Sequence, residues 1–520
     1  MIMLSLSTAS AALPWNDVNL LIVTDVHSWI GGHTHSDHAP VLDANYGDVL
    51  SLYERLSETA SKAGHDLFFV QNGDLNDGTG FSRVPPSALV PLLQQMPFDA
   101  LTSGNHELYK DQNIAYLARP GGFIDSWKGA FLTANVLNAT TRHPLGARSK
   151  LLVGRATGVR VLAMGFLYDM KDHADDVTVT LVEDVVKEAW FIHALNRTGA
   201  YDALLFLSHM DYKDPLVDII HRAARAIIGE SVPIQFVTGH SHIRAYRDLD
   251  LRAASFEAGH YLDTIGFASF ALDGASTRTS FAHVDIDANV AAMAAAAGLA
   301  GPLSLPTRAG RALSERIVHV ASSLGLDTLL GCSPASYHAH AALDSPVSLW
   351  ALYLHNVTAY EALGGNASRI VLESTGSLRY DLFAGNVTTN DLWTMVPFAD
   401  RFWRVALRVS GDVLAAVVRD LNAAARDERS DSRLQGRLLG GRGPRDHTDA
   451  VSSGLLPAYA TTSTPMPGTI YELWTLDFDR TAVVGAFEAR AKQRASPQLM
   501  LGGENTTSIW QRWIQKTWPC

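Results

Sequence analysis

A layered α/β fold is predicted for this 520-residue chain by three observations. Short apolar runs alternate with amphipathic helical stretches through the first half. Five of those runs end directly in a short polar motif. A Gly/Pro break at residues 301–306 is followed by a second alternating set. Strands that alternate with helices build a sheet with helices on its faces. Ligands in such sheets bind at the loops beyond the strands' carboxyl ends, where the polar motifs fall.

The elements follow in order. Apolar runs at 20–23, 67–70, 99–102, 203–207 and 233–237 read as strands. Residues 47–64 read as a helix, because Leu50, Tyr53, Leu56 and Ala60 recur at 3–4 spacing. Residues 86–96 read as another, with proline near the first turn, and 181–195 and 215–228 as two more. Residues 251–284 change to short strands with Gly and Thr turns and are expected to close the sheet with an antiparallel portion. The Ala-rich stretch 287–300 is helical. Beyond the break, helices are expected at 315–324, 347–357 and 411–424, and strands at 370–372 and 402–409. The Arg-, Asp- and Gly-rich stretch 426–449 reads as an exposed loop. The organisation is thus a signal-like segment at 1–14, a catalytic domain at 15–288, a helical linker at 289–312 and a second α/β domain at 313–520.

Bulk numbers exclude some functions. A hydrophobic fraction of 47% with 18% charged residues is that of a globular protein. A net charge of −11 argues against nucleic acid as a partner, which demands a basic face. Two cysteines, Cys332 and Cys520, exclude a thiolate zinc site and a dense disulfide framework, and leave one bridge open. Residues 1–14 are apolar and small, like the end of a secretory signal. Six Asn-x-Ser/Thr sequons (Asn138, Asn196, Asn356, Asn366, Asn386 and Asn505) exceed the about two or three expected by chance and favour a secreted or vacuolar destination. No run of about 20 apolar residues exists, so no spanning helix is expected.

The five motifs are Thr24-Asp25-Val26-His27, Gly73-Asp74-Leu75-Asn76-Asp77, Gly104-Asn105-His106-Glu107, Ser208-His209 and Gly239-His240-Ser241-His242. Asp-x-His after a strand puts a carboxylate and an imidazole on one side of an extended segment, since alternate residues share a face. Asp25 and His27 can therefore reach one ion, and His240 and His242 repeat the spacing. Asp74 adds a carboxylate able to bridge two ions, Asn105 an amide oxygen, His209 a further imidazole. These seven side chains fill two mixed N/O sites that suit two divalent ions such as Zn, Mn, Fe or Mg. Two ions about 3.5–4 Å apart acidify a shared water and clamp phosphoryl oxygens. His106 is the candidate to protonate a leaving alkoxide or stabilise transition-state charge, with Glu107 or another carboxylate to orient it. Asp77 reads as a turn residue before Gly78. His33, His35 and His38 read as exposed-loop histidines.

As an ordered set, these motifs resemble the signature of the calcineurin-like metallophosphoesterases. The resemblance implies a four-layer α/β/β/α sandwich. It also implies a dinuclear site, with Asp25, His27, Asp74 and His242 on one ion and Asp74, Asn105, His209 and His240 on the other. The second half resembles the C-terminal domain of 5'-nucleotidases, through Ser374-Thr375-Gly376-Ser377-Leu378-Arg379, Asp381 to Thr388 and Val396-Pro397-Phe398. Ala134-Asn135-Val136 has the same look, and the stretch from Gly31 to Tyr109 is most similar to a secreted or vacuolar fungal-type branch. Arg379 and Asn105 are the implied substrate contacts. Ser374 stands where that family's usual Asn would be, and residues 471–478 replace its Gly-Gly-Asp-Gly-Tyr-like segment. The base preference therefore stays open, and Phe398, Phe402, Trp474 and Phe478 read as core aromatics.

The resemblance implies a 5'-nucleotidase-like phosphomonoesterase acting on a small phosphorylated substrate, a nucleotide, with metal-bridged hydroxide as nucleophile. Alternatives are a cyclic-nucleotide phosphodiesterase, a nucleotide-sugar pyrophosphatase, or a metal-containing binding relative without turnover. The oligomeric state is left open.

Overall fold

A computed structural model describes residues 13–33, 41–197, 199–272, 278–430 and 456–520. Most of the segment 1–14, His35 and His38, and nearly all of the expected loop 426–449 lie outside the described residues. The chain forms two compact units. The first comprises the chain up to Asn76, Val84–Gly239 and Arg244–Val320; the second comprises Asp77–Arg83, His240–Ile243 and Ala321–Cys520.

The first unit holds fourteen named strands. They are β1 (Val18–Val23), β2 (Asp66–Asn72), β3 (Ala100–Thr102), β4 (Phe131–Leu132), β5 (Val136–Asn138), β6 (Ser149–Val153) and β7 (Arg160–Leu167), followed by β8 (Val177–Val179), β9 (Ala203–His209), β10 (Ile234–Thr238), β11 (Arg244–Asp250), β12 (Ala253–Ala258), β13 (Thr264–Phe270) and β14 (Phe281–Asp287). Two six-stranded sheets run β14-β13-β1-β2-β3-β4 and β11-β12-β10-β9-β7-β6, and β5 pairs with β8. The inner strands of both sheets are parallel, and antiparallel strands close the edges at β13, β14, β11 and β6.

Period-2 burial explains the stacking. Leu20, Ile22, Phe68 and Val70 of one sheet pack with Ala163, Leu205, Leu207 and Val237 of the other in a shared core. The alternate residues Leu162, Leu204, Phe206 and Phe236 face the opposite way, onto Leu216, Val217, Ile220 and Ala224 of the helix Pro215–Ile228. On the outer side of the first sheet lies the helix Tyr46–Ala63, with the Tyr53 ring stacked on Phe69 at 5.1 Å. Asn45 caps that helix by accepting the Gly47 N–H, and Gly64 ends it in the left-handed region at φ 74°. The unit is therefore helix, sheet, sheet, helix. Truncating one inter-sheet side chain, Leu205→Ala, removes about 2–5 kcal/mol.

The expected helix at 181–195 is two short helices, Val182–Val185 and Ala189–Leu195, and the helical part of 86–96 is Val90–Leu93. Residues 289–320 group with the first unit. Met293 and Ala294 of the helix Val290–Ala296 are buried, and Ser314 in the helix Arg308–Ser323 donates to the Asn45 side chain at 2.8 Å.

The second unit holds β15 (Leu329–Ser333), β16 (Arg369–Ser374), β17 (Gly385–Thr388), β18 (Phe402–Ser410), β19 (Tyr459–Thr461), β20 (Ile470–Leu476) and β21 (Gln498–Leu499). Its main sheet runs β19-β16-β20-β18-β21, and β15 pairs with β17. One face packs Ile370, Leu372 and Leu473 on Leu414, Val417, Val483 and Phe487 of two helices. The other packs Val371, Phe402 and Trp474 with Trp350, Tyr353, Trp510 and Ile514. The helix expected at 347–357 is Leu349–Leu352, continued as a π-helix over Tyr353–Ala362. Cys332 and Cys520 form a disulfide with Cα atoms 5.1 Å apart, tying β15 to the chain beyond the last helix, Thr506–Thr517. Among the described residues, no helix is long and apolar enough to cross a membrane.

Candidate metal centre

The polar motifs sit where the strands end. Thr24–His27 follows β1, Gly73–Asp77 follows β2, Ser103–Glu107 follows β3, His209 closes β9, and Gly239–His242 follows β10. The first two loops run alongside each other: Asp25 N–H donates to the Gly73 carbonyl at 3.2 Å and His27 N–H to the Asp74 carbonyl at 2.9 Å.

The segment from Asp25 to His27 is not the extended one that the Asp-x-His spacing predicts. Asp25 and His27 have φ of 49° and 46°, Asp74 50°, and His240 and His242 75° and 64°. A turn in the left-handed region, not strand alternation, brings these side chains together. Asp and His are among the non-glycine residues that enter this region most readily, so the ligand chemistry and the backbone tolerance coincide. Close packing demands glycine beside them. A Cβ at Gly104 would run into Asp74 Oδ1, and one at Gly73, itself at φ 85°, would meet Gly104 N at 2.5 Å.

Two buried groups of donor atoms result, each within 4.8 Å: Asp25, His27, Asp74 and His242, and Asp74, His209 and His240. Asp74 belongs to both. His27 Nε2 lies 3.4 Å and His209 Nε2 3.1 Å from Asp74 Oδ2. Their Nδ1 atoms lie 2.9 Å from the Asn76 carbonyl and 2.7 Å from the Asn72 carbonyl. A backbone carbonyl on one ring nitrogen fixes the tautomer and turns the other inward, the arrangement that metal-binding histidines need. Asn105 Oδ1 lies 3.2 Å from His209 Nε2, while its Nδ2 donates to the Tyr109 hydroxyl at 3.0 Å. That hydrogen bond turns the amide oxygen toward the second group. The N/O donor set and the shared carboxylate fit divalent ions.

Electrostatics agree with that fit. Burial works against charge on Asp74, yet the His209, His106 and His27 imidazoles hold its carboxyl well below the usual range. Burial likewise opposes charge on His209, but Asp74 and Asp25 raise it to about 10. The buried carboxylates require positive charge beside them, from an imidazolium or from a cation that displaces its proton.

His106 is 2% exposed; its backbone N–H donates to Asp74 Oδ1 at 2.9 Å and its ring meets that of His27 edge-on at 4.6 Å. The sequence offers Glu107 as the group that orients His106, and here the structure differs. Its carboxylate accepts four backbone N–H groups, from Leu75 at 2.8 Å, Asn76 at 3.1 Å, Asp74 at 3.1 Å and Gly104 at 2.8 Å. Four donors match the four lone-pair sites of a carboxylate, so Glu107 ties the β2 and β3 loops together. Burial and the Asp74 charge push its acid up to about 8.

Arg379 lies in the second unit, 2% exposed, with its guanidinium 5.2 Å from the Phe398 ring centre. Of the aromatics expected in the core, Phe402 and Trp474 are buried and Phe398 half-buried, whereas Phe478 is exposed. Tyr109 and Tyr261 were not singled out from sequence. Tyr109 stands four residues after Asn105, a spacing that places it within reach; nothing local announces Tyr261.

Residues 18–244 match the family model of calcineurin-like phosphoesterases, and residues 337–452 match that of the NAD nucleotidase C-terminal domain. An uncharacterized protein of Schizosaccharomyces pombe is 28% identical over 434 residues, 75% of this chain and 70% of its own length. A protein of Arthroderma benhamiae described as a secreted protein is 24% identical over 448 residues, 76% of this chain and 66% of its own length. The crystal structure of 5'-nucleotidase from Candida albicans superposes with a TM-score of 0.81 at 23% identity, covering 97% of this chain and 99% of that one.

Proposed function

We propose that this chain, a phosphoester hydrolase with a calcineurin-like phosphoesterase domain and a 5'-nucleotidase-type C-terminal domain, removes the phosphate from a nucleotide monoester. The observation that carries this reading is the pair of buried donor groups meeting at Asp74. In this reading Asp25, His27, Asp74 and His242 hold one ion, and Asp74, Asn105, His209 and His240 the other. Bound divalent ions supply positive charge against the phosphate oxygens and acidify a water. His106 stands ready to protonate the leaving ribose oxygen. Glu107 positions the loops that carry Asp74 and Asn105. Asn105 doubles as a substrate contact at the phosphate. Arg379, its guanidinium 5.2 Å from the Phe398 ring centre, is the substrate contact this reading assigns to the second unit. The solved 5'-nucleotidase with the same fold supports a nucleotide as substrate.

A second reading has its own observation. The match of residues 337–452 to an NAD nucleotidase domain favours a pyrophosphate bond between nucleotides. Consumption of AMP, NAD, a sugar nucleotide, a cyclic nucleotide and p-nitrophenyl phosphate, with added Mn or Zn and the products resolved by chromatography, separates the two. The monoester reading expects the highest kcat/KM with AMP. A preference for NAD or the sugar nucleotide sinks it in favour of the second. Nucleotide binding without turnover of any substrate sinks the enzyme mechanism.

The same proposal includes passage through the secretory route. Asn196, Asn356, Asn366 and Asn386 are exposed sequon residues, and the Cys332–Cys520 disulfide belongs to oxidising compartments. The fungal relative described as secreted points the same way. A mass shift on enzymatic deglycosylation of protein from a eukaryotic host is the test, and its absence counts against the route.

A further inference from the structure

One loop of the first unit grips the Asp25–His27 segment from the side. It is the turn 259–263 directly after β12. His260, Tyr261, Leu262 and Asp263 are each 1% exposed. Gly259, Tyr261 and Leu262 have φ of 75°, 48° and 54°. Bulky residues in the left-handed region cost about 1–3 kcal/mol each and persist only where the surroundings fix them. Here the turn is pinned by Asp263, whose Oδ1 accepts the His260 N–H at 3.0 Å and whose carbonyl accepts the Ala288 N–H at 3.0 Å.

Tyr261 uses three parts of itself. Its N–H donates to the Asp25 carbonyl at 2.8 Å. Its ring meets the His27 imidazole edge-on, centroids 5.2 Å apart at 83°, and stacks on Trp29 at 5.4 Å and 18°. Its carbonyl lies 2.8 Å from His33 Nε2, and His33 in turn stacks on Trp29 at 4.6 Å. The circuit Asp25–His27–Trp29–His33–Tyr261 closes on itself. His27 Nδ1 is already tied to the Asn76 carbonyl, which leaves rotation of the ring about that bond. The Tyr261 and His106 rings, both edge-on to His27, limit that rotation.

We infer that Tyr261 is a positioning residue for the metal ion held by Asp25, His27, Asp74 and His242. It sets the Asp25 backbone and the plane of the His27 imidazole before the ion arrives. The inference rests on the two-ion reading of the site. Loss of such an outer support weakens metal binding by about 10- to 100-fold. The ring is the discriminating part, since any residue supplies the N–H and carbonyl.

The test uses the full chain, stripped of metal and titrated with Mn by equilibrium dialysis, as wild type, Tyr261→Phe and Tyr261→Leu. The thermal midpoint is recorded for each. Wild type and Tyr261→Phe are expected to bind two ions with affinities within about threefold of each other. Tyr261→Leu is expected to weaken one ion by about 10- to 100-fold and leave the other unchanged. Tyr261→Leu with both affinities intact overturns the inference. So does equal weakening of both ions in proportion to a lowered midpoint, the mark of a purely structural residue. Wild type that binds fewer than two ions overturns the two-ion reading itself and the inference with it, a result distinct from either.

Discussion

Replacing Glu107 with Gln tests whether the metal-ligand loops are held by one buried carboxylate. Oε1 accepts the Leu75 and Asn76 N–H groups and Oε2 those of Asp74 and Gly104. Whichever way the new amide turns, its NH2 faces two backbone N–H groups that lose their acceptor. Each buried donor left unpaired costs about 1–3 kcal/mol, so the substitution removes about 2–6 kcal/mol. A domain of 150–250 residues loses about 2–4 °C per kcal/mol, and this larger unit falls at the low end, giving a midpoint lower by about 4–12 °C. Thermal unfolding of chelator-treated protein at pH 9, above the value of about 8 for Glu107, measures it. Because the Asp74 and Gly104 N–H groups are among those released, metal affinity is expected to fall in the same variant, as read by dialysis. A variant that melts within about 1 °C of wild type and binds metal equally would refute the reasoning, because the N–H groups would then have found water or new partners at no net cost.

Three further predictions follow from particular residues. His106→Ala should lower kcat by about 10²- to 10⁴-fold with both ions still bound; unchanged turnover removes His106 from the mechanism. The metal-free protein should melt higher at pH 5 than at pH 8. Burial pushes Asp214 up to about 7 and Asp479 up to about 6, from 3.8 when unfolded, so each binds its proton more tightly when folded and stability is lost as pH rises through those values. Asp250, opposed by burial but lowered to about 2 by Arg225, the Arg252 N–H and His221, keeps its contribution at both pH values, whereas His283, lowered by burial to about 4 from 6.5 when unfolded, works in the opposite direction below about pH 6 and offsets part of the gain. Asp214→Asn keeps the cap on the helix Pro215–Ile228 and should flatten the pH dependence of the midpoint. Finally, Cys332→Ser should destabilise the second unit by about 2–5 kcal/mol, read as a lowered thermal midpoint.

The layers were legible in the sequence because burial on both faces of a strand leaves an unbroken apolar run, as in Leu204 to Leu207, which alternate between two cores. The helix over 215–228 was legible with its bounds, and the structure adds Asp214 as its cap, accepting the Leu216 N–H at 2.9 Å. Ligand types were legible because few motifs put Asp, Asn and His directly after strands in that order. The geometry that gathers them was not. Asp25 and His27 meet by a left-handed turn, and no local pattern distinguishes that turn from two more extended residues. Glu107 misled for a related reason. Its place beside His106 suggested a side-chain partner, whereas its partners are backbone groups, those of Asp74, Leu75 and Asn76 some thirty residues away and that of Gly104 three residues away. Pairing of Cys332 with Cys520 depends on where β15 and the last helix end, which spacing alone cannot give.

The same left-handed turns explain why the site needs supports at all. Asp25, His27, Asp74, His240 and His242 hold positive φ. At about 1–3 kcal/mol each, the lower end for Asp and His, their sum approaches the whole stability of a domain. Metal at 100 times its dissociation constant returns only about 2.7 kcal/mol per site. One ion therefore returns only about half of that cost even at its lower end of about 5 kcal/mol, and two ions together do no more than match it. The chain must hold them first, and the supports are visible: the Glu107 carboxylate under the β2 and β3 loops, and the Tyr261 turn against the β1 loop. It follows that variants at these two positions should weaken metal binding before they abolish it, whereas Asp74→Asn, which removes charge from both donor groups, should lose both ions together.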